Sequence, residues 1–289
     1  MTLKEEKLFC CVCKKLNVYE TVTDFSPSVQ HDLDGRPHGE ERYALTKSIQ
    51  VCPYCRYANF SVDTEIEGFD AEKVVHSGEF LERAKKVSRA KKFILSAYLY
   101  EKARDFITAG YLYMNAAWTF DDENAKNSRT TSKLHEKSQD SNEETKNSHI
   151  SARTFDDKID RGRLKSIEVT NENQNLNEKH SQSVHSKDFK GENDEDCAKY
   201  FRIKAAECFA KGGFSEDTAA AHCDCLRRTG DFKAARTFAK KALKILRPEG
   251  ELYDSLKIEI DLCRKKDDSC KVFVPRKKGF FGFFRGKKK

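Results

Sequence analysis

Two short stretches decide the fold: FCCVCKK at residues 9–15 and VCPYCRY at residues 51–57. They hold two Cys-x-x-Cys turns, called knuckles below, which are Cys10 with Cys13 and Cys52 with Cys55. Two residues between the cysteines let both thiolates of a tight turn reach one ion at about 2.3 Å, and two such turns complete a tetrahedron around zinc. The spacing therefore predicts one zinc ion bound by these four cysteines.

Four thiolates leave such an ion no open coordination position. A zinc ion that activates water keeps one position free, so this ligand set predicts a structural site rather than a hydrolytic one. In zinc-finger peptides the binding is worth about 10–16 kcal/mol at neutral pH, enough to fold a module with a small apolar core. Loss of one cysteine is expected to unfold residues 1–75. Iron also accepts four sulfur ligands, so an iron-containing redox protein is an alternative.

Several of the remaining cysteines are interpreted as packing residues. Cys11 lies between two ligands, and the spacing leaves it as a small, partly buried side chain. His222, Cys223 and Cys225 are close in sequence, but residues at this spacing on a helix point to different sides. We therefore expect core packing there and no second metal site. Two more cysteines fall on apolar helical stripes, where they act as small hydrophobic residues: Cys208 and Cys263.

A calcium site was weighed for the segment HDLDG at residues 31–35, which matches the beginning of an EF-hand loop. The glutamate expected at the twelfth position counted from Asp32 is replaced by Tyr43. We therefore expect a structured turn at this segment.

The composition indicates a cytoplasmic, non-secreted protein. The chain of 289 residues has 11 cysteines, an odd number, and five of them lie in the knuckles, which favours metal ligation over disulfides. No window approaches the roughly 18 apolar residues of a membrane helix, and MTLKEEKLF lacks the apolar core of a secretory signal. No glycine-rich phosphate loop, GxSxG or HExxH motif occurs, so we expect no enzymatic activity.

The periodicity divides the chain into segments of an α+β, mostly α fold. Residues 1–75 carry β-prone runs at Val18–Val22 and Ser48–Val51 and are predicted to form a small zinc-ribbon-like β module. The next segments are a first helical pair at 76–120, a disordered polar insertion at 121–195, tetratricopeptide-like helical hairpins at 196–268 and a basic aromatic tail at 269–289.

Apolar residues at helical spacing predict the buried faces of the helices. In the first pair they are Phe93, Ile94, Ala97, Tyr98, Ile107, Tyr111, Met114 and Trp118. After the insertion they are Phe201, Ala205, Cys208, Phe209, Ala219, Cys223, Leu226, Ala235, Phe238, Ala239, Ala242, Leu246, Leu252, Leu256, Ile260 and Cys263. LRRTGDFKAARTFAKKAL at 226–243 resembles the turn and second helix of a tetratricopeptide repeat.

The positive charge of the chain lies in its tail. The formal net charge is +7, and residues 271–289 hold eight Lys and Arg and no acid, which leaves 7 − 8 = −1 for the rest. A near-neutral body argues against nucleic-acid binding by the main domain. The tail cations alternate with Phe273, Phe280, Phe281, Phe283 and Phe284. This pattern suits an anionic membrane surface, single-stranded nucleic acid, or a tail whose phenylalanines dock on the helical body.

A family resemblance appears around the second knuckle. Residues 32–60 have the sequence DLDGRPHGEERYALTKSIQVCPYCRYANF. This stretch resembles the block of the prokaryotic domain-of-unknown-function family 2225, which joins an Asp-x-Asp turn, a Tyr-containing strand and a CPxCGYA knuckle. AAWTF at 116–120 and RRTGDFKAA at 227–235 are similar to further family blocks, and the likeness spans residues 7–247 apart from the insertion. The resemblance implies a zinc-ribbon-like module followed by tetratricopeptide-like helices, without an assigned activity. Lys14 and Arg56 stand where the family usually has glycine.

Together these features predict a protein-interaction adaptor. The helices would offer a groove to a peptide or partner helix, the zinc module would cap one end, and the tail would contact the inner face of a membrane. The alternative is a nucleic-acid-binding zinc-ribbon protein that uses the basic tail.

Overall fold

The structure, a computed structural model, describes residues 1–85, 90–140 and 194–274, except for the side chains of 126–140. Within these ranges the chain is mostly helical with a small antiparallel β region near its N terminus, which confirms the predicted α+β, mostly α class. The chain divides into two compact units, Met1–Ala125 with Asn193–Lys289, and Lys126–Glu192. Every contact given below lies within the first unit.

Two β-hairpins carry the knuckles. The antiparallel pairs are β1 (Thr2–Phe9) with β2 (Leu16–Asp24), and β3 (Gln50–Val51) with β4 (Ala58–Asn59). Phe9 pairs with Leu16, and Val51 pairs with Ala58. Each knuckle is therefore the loop between two paired strands.

Strand β1 was not predicted, whereas β2 contains the predicted run Val18–Val22 and β3, Gln50–Val51, forms the second half of the predicted run Ser48–Val51. Its sequence, TLKEEKLF, has four consecutive charged residues, and most of its side chains are exposed. A strand is recognised by alternation of apolar and polar residues, which appears when one face is buried. Since neither face of β1 is deeply buried, only its pairing with β2 identifies it.

The N-terminal module also contains short helices. They are α1 (Gly39–Leu45) and α2 (Ala71–Val75). The family resemblance implied a strand around Tyr43, and this expectation is wrong because Tyr43 lies in α1. Glu40 and Glu41 occupy the first turn of α1, where acids are favoured, and their carboxylates accept hydrogen bonds from the backbone of Ser26 and Ser28 at 3.0 and 2.7 Å.

The predicted first helical pair corresponds to α4 (Lys91–Lys102) and α5 (Phe106–Asp140), preceded by the short α3 (Gly78–Lys85). The residues of its predicted apolar face that are buried are Phe93, Ala97, Tyr98, Met114 and Trp118. Those that are partly buried are Ile94, Ile107 and Tyr111.

The expected disorder from residue 121 onward is wrong for its first part. Helix α5 continues without a break from Phe106 to Asp140. The composition there is polar, but Asp121 and Asp122 are neutralised by arginines from distant parts of the sequence, so the polar residues extend a structured helix. The rest of the predicted insertion, 141–193, lies outside the described residues.

The second helical group consists of α6 (Asp194–Gly212), α7 (Glu216–Arg228), α8 (Phe232–Ile245) and α9 (Glu251–Lys265). The predicted face is buried at Phe201, Ala205, Cys208, Phe209, Ala219, Cys223, Ala235, Ala239, Ala242, Leu256, Ile260 and Cys263. Between α7 and α8, Gly230 adopts a φ of 87°, and the Asp231 carboxylate caps α8 by accepting from the Ala234 amide at 2.9 Å. The helical hairpins are therefore present, and the tetratricopeptide likeness stays a prediction.

Helices α5 and α6 approach each other at two glycines. A Cβ atom added to Gly110 would lie 2.5 Å from the ring of Phe209, and one added to Gly212 would lie 2.5 Å from the side chain of Ile107. Because Phe209 is fully buried, its ring has no free space into which to move. The absence of a side chain at Gly110 thus permits the close packing of α5 on α6.

A buried cluster of ionic contacts fastens the N-terminal module to the helices. Asp121 on α5 contacts Arg36 at 3.5 Å, Arg228 at 3.1 Å and also Arg202. Burial raises the pKa of Asp121, but Arg202 and Arg228 outweigh it and hold the pKa below its ordinary value. One carboxylate therefore holds three guanidinium groups from the N-terminal module, α6 and α7.

A second buried ionic contact fixes the end of the described chain. Arg227 is fully buried; its Nε donates to Glu259 on α9 at 2.7 Å, and it also binds Asp224 on its own helix. Its Nη1 donates to the backbone carbonyls of Asp267 and Ser269 at 2.8 and 2.9 Å. Arg227 thus joins α7, α9 and the segment that follows α9.

Replacing Asp121→Ala is expected to lower the free energy of unfolding by about 3–5 kcal/mol, because three arginines lose their shared counter-charge in a desolvated site. Chemical denaturation followed by circular dichroism measures this change. The control is Asp261→Ala, whose contact with Arg264 at 2.8 Å is more than half exposed at both side chains and should contribute less than about 1 kcal/mol. Equal losses in the two variants would contradict a central role for Asp121.

Candidate metal centre

The structure brings all four predicted ligands together. The Sγ atoms of Cys10 and Cys55 are 3.7 Å apart, and those of Cys13 and Cys52 are 3.5 Å apart. All four sulfur atoms lie within 4.8 Å of one another. A tetrahedron with metal–sulfur bonds of about 2.3 Å has sulfur–sulfur edges of about 3.8 Å. The spacing therefore fits one metal ion at the centre of the four sulfurs.

The two knuckles share one backbone geometry. In the first, the amide of Cys10 donates to the carbonyl of Lys15 at 3.0 Å, and the amide of Lys14 donates to the carbonyl of Cys10 at 2.9 Å. In the second, Cys52 donates to Tyr57 at 2.8 Å, and Arg56 donates to Cys52 at 3.0 Å. The same two hydrogen bonds thus close both loops and aim both pairs of sulfurs at one point.

Both knuckles place a non-glycine residue in a left-handed conformation. Lys14 has a φ of 58° and Arg56 a φ of 68°, and each follows the second cysteine of its knuckle. A left-handed conformation costs a residue with a Cβ atom about 1–2 kcal/mol, and glycine avoids this cost. The turn of each knuckle is therefore strained in its backbone at this position.

Burial alters the proton affinity of the thiols. It raises the pKa of Cys10 to about 11 and moves the pKa of Cys55 in the same direction. Burial also acts on Cys52, but hydrogen bonds from the backbone of Cys55 and Tyr54 outweigh it and lower the pKa of that thiol. A metal ion binds thiolates, so binding has to displace protons from this site and should weaken as the pH falls.

Six of the other cysteines are buried or partly buried, and four of these carried a packing expectation: Cys11, Cys208, Cys223 and Cys263. Cys11 is partly buried and stands apart from the four ligands, with its Sγ donating to the carbonyl of Thr64 at 3.5 Å. Cys208, Cys223, Cys225 and Cys263 are buried. Among the residues that the structure describes, Cys10, Cys13, Cys52 and Cys55 are the only group of three or more potential metal ligands close enough to share one ion.

His222 lies between aromatic rings. Its ring centre is 6.0 Å from that of Phe209 and 4.4 Å from that of Phe238. Burial lowers the pKa of His222 to about 4, because the charged imidazolium would lose its hydration. The core interpretation of His222 is therefore supported.

The turn that was weighed as a calcium loop makes internal contacts instead. Asp32 is buried and accepts from His38 Nε2 at 2.8 Å, and Asp34 is buried and accepts from the indole of Trp118 at 2.7 Å. Arg36, in the same turn, donates to the carbonyl of Trp118 at 3.0 Å. The turn thus docks the N-terminal module on α5.

The sequence reasoning missed this docking, although a signal was present. The three blocks that carry the family resemblance meet here: Asp34 and Arg36 belong to the first, Trp118 to the second and Arg228 to the third. Arg228 lies 3.7 Å from Asp34 and 3.1 Å from Asp121. Three short blocks far apart in sequence, two with charged residues and one with Trp118, therefore form one buried contact.

The start of the predicted tail is structured. Leu33 donates to the carbonyl of Lys271 at 2.9 Å, and Phe273 donates to the carbonyl of His31 at 2.8 Å. The tail beyond Val274, with Phe280, Phe281, Phe283 and Phe284, lies outside the described residues. In the described parts of the chain, none of the helices combines the length and the apolar character needed to cross a bilayer.

Replacing Cys52→Ser is expected to abolish binding of one equivalent of metal and to unfold the N-terminal module, because three thiolates no longer complete the site. Elemental analysis gives the metal content, and hydrogen exchange of residues 1–75 gives the loss of structure. The matched control is Cys11→Ser, which removes a thiol outside the cluster and should retain the metal. Retention of a full equivalent by Cys52→Ser would contradict the ligand assignment.

Acid should destabilise the protein through His222. The pKa of an unfolded histidine is about 6.5, and burial lowers the pKa of His222 to about 4. The stabilisation of the folded state by the buried neutral ring is therefore complete above pH 6.5. It is lost as the pH falls toward 4, because the unfolded state binds the proton first. Between pH 7 and pH 5 the wild-type chain should lose about 2 kcal/mol more stability than His222→Phe. Urea denaturation at both pH values measures the difference. Equal losses in the two proteins would contradict it.

Comparison with protein-family models, with curated proteins and with solved structures finds no match. The resemblance to family 2225 therefore stays a prediction.

Proposed function

We propose that this protein is a protein-interaction adaptor without catalytic activity. In this proposal the metal centre fixes the N-terminal module, the buried arginines hold the module on the helices, and the helices present a peptide-binding cleft. The architecture resembles family 2225 in the order of its module and helices, which is consistent with a scaffold. Location in the cytoplasm, with or without a membrane contact of residues 271–289, is part of the same proposal.

Zinc is the proposed metal. The four sulfurs fit a tetrahedral ion, and Cys10 and Cys52 are buried, which limits access of water to the centre. Four protein ligands leave no position for a substrate, so the bound ion would supply structural cross-linking between the two hairpins. Elemental analysis of the purified protein separates zinc from the iron alternative: a coloured protein with iron at the site would overturn the assignment.

The observation that carries the adaptor proposal is a cleft of about 420 Å³. It forms where the turn at residues 31–35 meets α5 and the first turns of α7 and α9. Such a volume is within the range of ligand-binding clefts. Tyr111, Trp118 and Leu252 contribute apolar surface to its wall, and Asp217 and Glu216 lie at its edge. The apolar walls suit one apolar side chain of a peptide, and the polar edges suit the residues next to it.

The adaptor proposal is tested by selecting displayed peptides against the metal-loaded full chain. Trp118 is the one tryptophan of the sequence and lines the cleft, so its fluorescence reports on cleft occupancy. Selected peptides should shift the Trp118 emission and protect it from acrylamide quenching with micromolar dissociation constants. Failure to select any peptide, both with the wild-type chain and with a chain whose cations at 276–289 are replaced with Gln, would overturn the proposal, and so would selection only of peptides that leave Trp118 unaffected.

A second candidate function is nucleic-acid binding beside the knuckles. A cleft of about 660 Å³ there is lined by Lys15, Arg56 and Lys91, none of which has an ion-pair partner among the described residues. Lys15 Nζ lies 4.7 Å from the ring centre of Tyr54, whose ring is half exposed. Cations beside an exposed aromatic ring are typical of single-strand binding surfaces.

Fluorescence anisotropy with a labelled single-stranded oligonucleotide separates the two candidates. If the nucleic acid binds beside the knuckles, Lys15→Glu should weaken its affinity, and the affinity of the wild-type chain should fall steeply with added salt. The control is Lys233→Glu, which changes an exposed lysine of α8 and should leave the affinity unchanged. Binding that depends on residues 271–289 instead would favour the tail-based form of this function. The absence of binding in low salt would exclude both forms.

A further inference from the structure

The cleft of about 420 Å³ is acidic. Five carboxylates line it, and none of its described lining residues is Lys or Arg: Asp32, Asp34, Glu216, Asp217 and Glu251. Asp32 and Asp34 are buried and already bound to His38 and Trp118. The other three are exposed and have no ion pair within the described parts of the chain. Three unpaired carboxylates therefore face the opening.

Two helix N termini also point to this cleft, and their partial charges reduce the negative potential. Glu216 and Asp217 lie in the first turn of α7, and Glu251 lies in the first turn of α9. Each helix N terminus is equivalent to about half a positive charge, or about one charge in total. The three negative charges of the carboxylates exceed this positive charge of the helix N termini, so the opening keeps a net negative charge and favours a cationic ligand.

Aromatic side chains line the same cleft. Trp118, Tyr111 and Phe273 belong to its wall, and the Tyr111 hydroxyl is fixed because it donates to the carbonyl of Asp217 at 2.6 Å. Aromatic walls beside carboxylates bind Lys or Arg together with apolar neighbours, since ring faces attract cations and bury apolar groups. A basic peptide that contains phenylalanine has this chemistry.

The chain itself supplies such a peptide at the cleft. Phe273 lines the wall and is held by its hydrogen bond to His31, and the Val272 backbone pairs with Asp32. The sequence then continues as PRKKGFFGFFRGKKK, residues 275–289, with seven Lys and Arg, four Phe and no acid. Arg276 is three residues beyond Phe273, a distance of at most about 11 Å along an extended chain. Residues 275–289 are therefore tethered beside a site of opposite charge.

We infer that residues 275–289 occupy this cleft in the same molecule. The cations would lie against Glu216, Asp217 and Glu251, and a phenylalanine would pack on the aromatic wall beside Trp118. Tethering gives the segment a high effective concentration, so a partner must displace it before binding. The inference rests on the proposed peptide cleft and specifies its ligand class: a basic, phenylalanine-containing peptide.

The test uses the full chain and a labelled synthetic peptide of residues 275–289 added in solution. One variant, the neutral-tail chain, replaces its seven cations with Gln: Arg276, Lys277, Lys278, Arg285, Lys287, Lys288 and Lys289. The added peptide should bind the neutral-tail chain at least tenfold more tightly than the wild-type chain, whose own tail competes. Acrylamide should quench Trp118 more strongly in the neutral-tail chain. Equal affinity and equal quenching in the two proteins would overturn the inference.

The cleft carboxylates are tested in the neutral-tail chain. Replacing Glu216→Gln, Asp217→Asn and Glu251→Gln should weaken binding of the added peptide at least tenfold. The control removes the same charge from exposed acids of the N-terminal module that do not line the cleft: Glu65→Gln, Glu67→Gln and Glu72→Gln. It should leave the affinity unchanged. Equal weakening by both sets would show binding by net charge alone and would overturn the inference.

Two outcomes separate this inference from the adaptor proposal. If displayed peptides occupy the Trp118 cleft but the tail peptide does not bind, the inference is wrong and the adaptor proposal stands. If no peptide of any kind reaches the cleft of the neutral-tail chain, both are wrong. Sedimentation at several concentrations completes the test, because a tail that inserted into a second copy would give a dimer and would overturn docking within one molecule.

Discussion

The convergence of four sulfur atoms is the constraint on which the N-terminal module depends. Strands β3 and β4 are two residues each, and a two-stranded hairpin is marginally stable in water even when it is longer. The knuckles join this short hairpin to the longer β1–β2 hairpin at a single point. The chain between them, residues 25–49, is thereby closed into a loop whose ends are fixed. That loop carries the turn that docks on α5.

The docking is ionic and buried, which makes it directional. Asp34 accepts from the Trp118 indole, Arg36 contacts Asp121, and Asp121 in turn contacts Arg202 and Arg228. An apolar contact of the same area would tolerate sliding, whereas each of these hydrogen bonds needs a defined partner. Loss of any one of these contacts leaves a buried charge without a partner. The N-terminal module, α5, α6 and α7 therefore depend on the same set of contacts for their arrangement. The position of the acidic cleft follows from this arrangement, because the same turn forms one of its sides.

The parts of the fold that the sequence could predict are those that depend on local spacing. The two Cys-x-x-Cys turns indicated the ligand set because the metal requires that spacing, and the apolar faces of α6 to α9 followed from helical periodicity. Strand β1 and helix α1 gave no such signal, since charged residues dominate both. The continuation of α5 past Asp121 depends on arginines contributed from more than 80 residues away in each direction. The cleft combines five separate segments, so no single window of sequence contains it.

The strained residues beside the metal ligands have an electrostatic consequence. A divalent ion bound by all four thiolates would give this partly buried site a net charge of +2 − 4 = −2. Lys14 directly follows Cys13 in the sequence, Arg56 directly follows Cys55, and both side chains are exposed. Glycine would relax the backbone at both positions but would remove a cation that stands one residue from a ligand. The chain therefore accepts about 1–2 kcal/mol of backbone strain at each loop and keeps a positive charge next to each pair of ligands in the sequence.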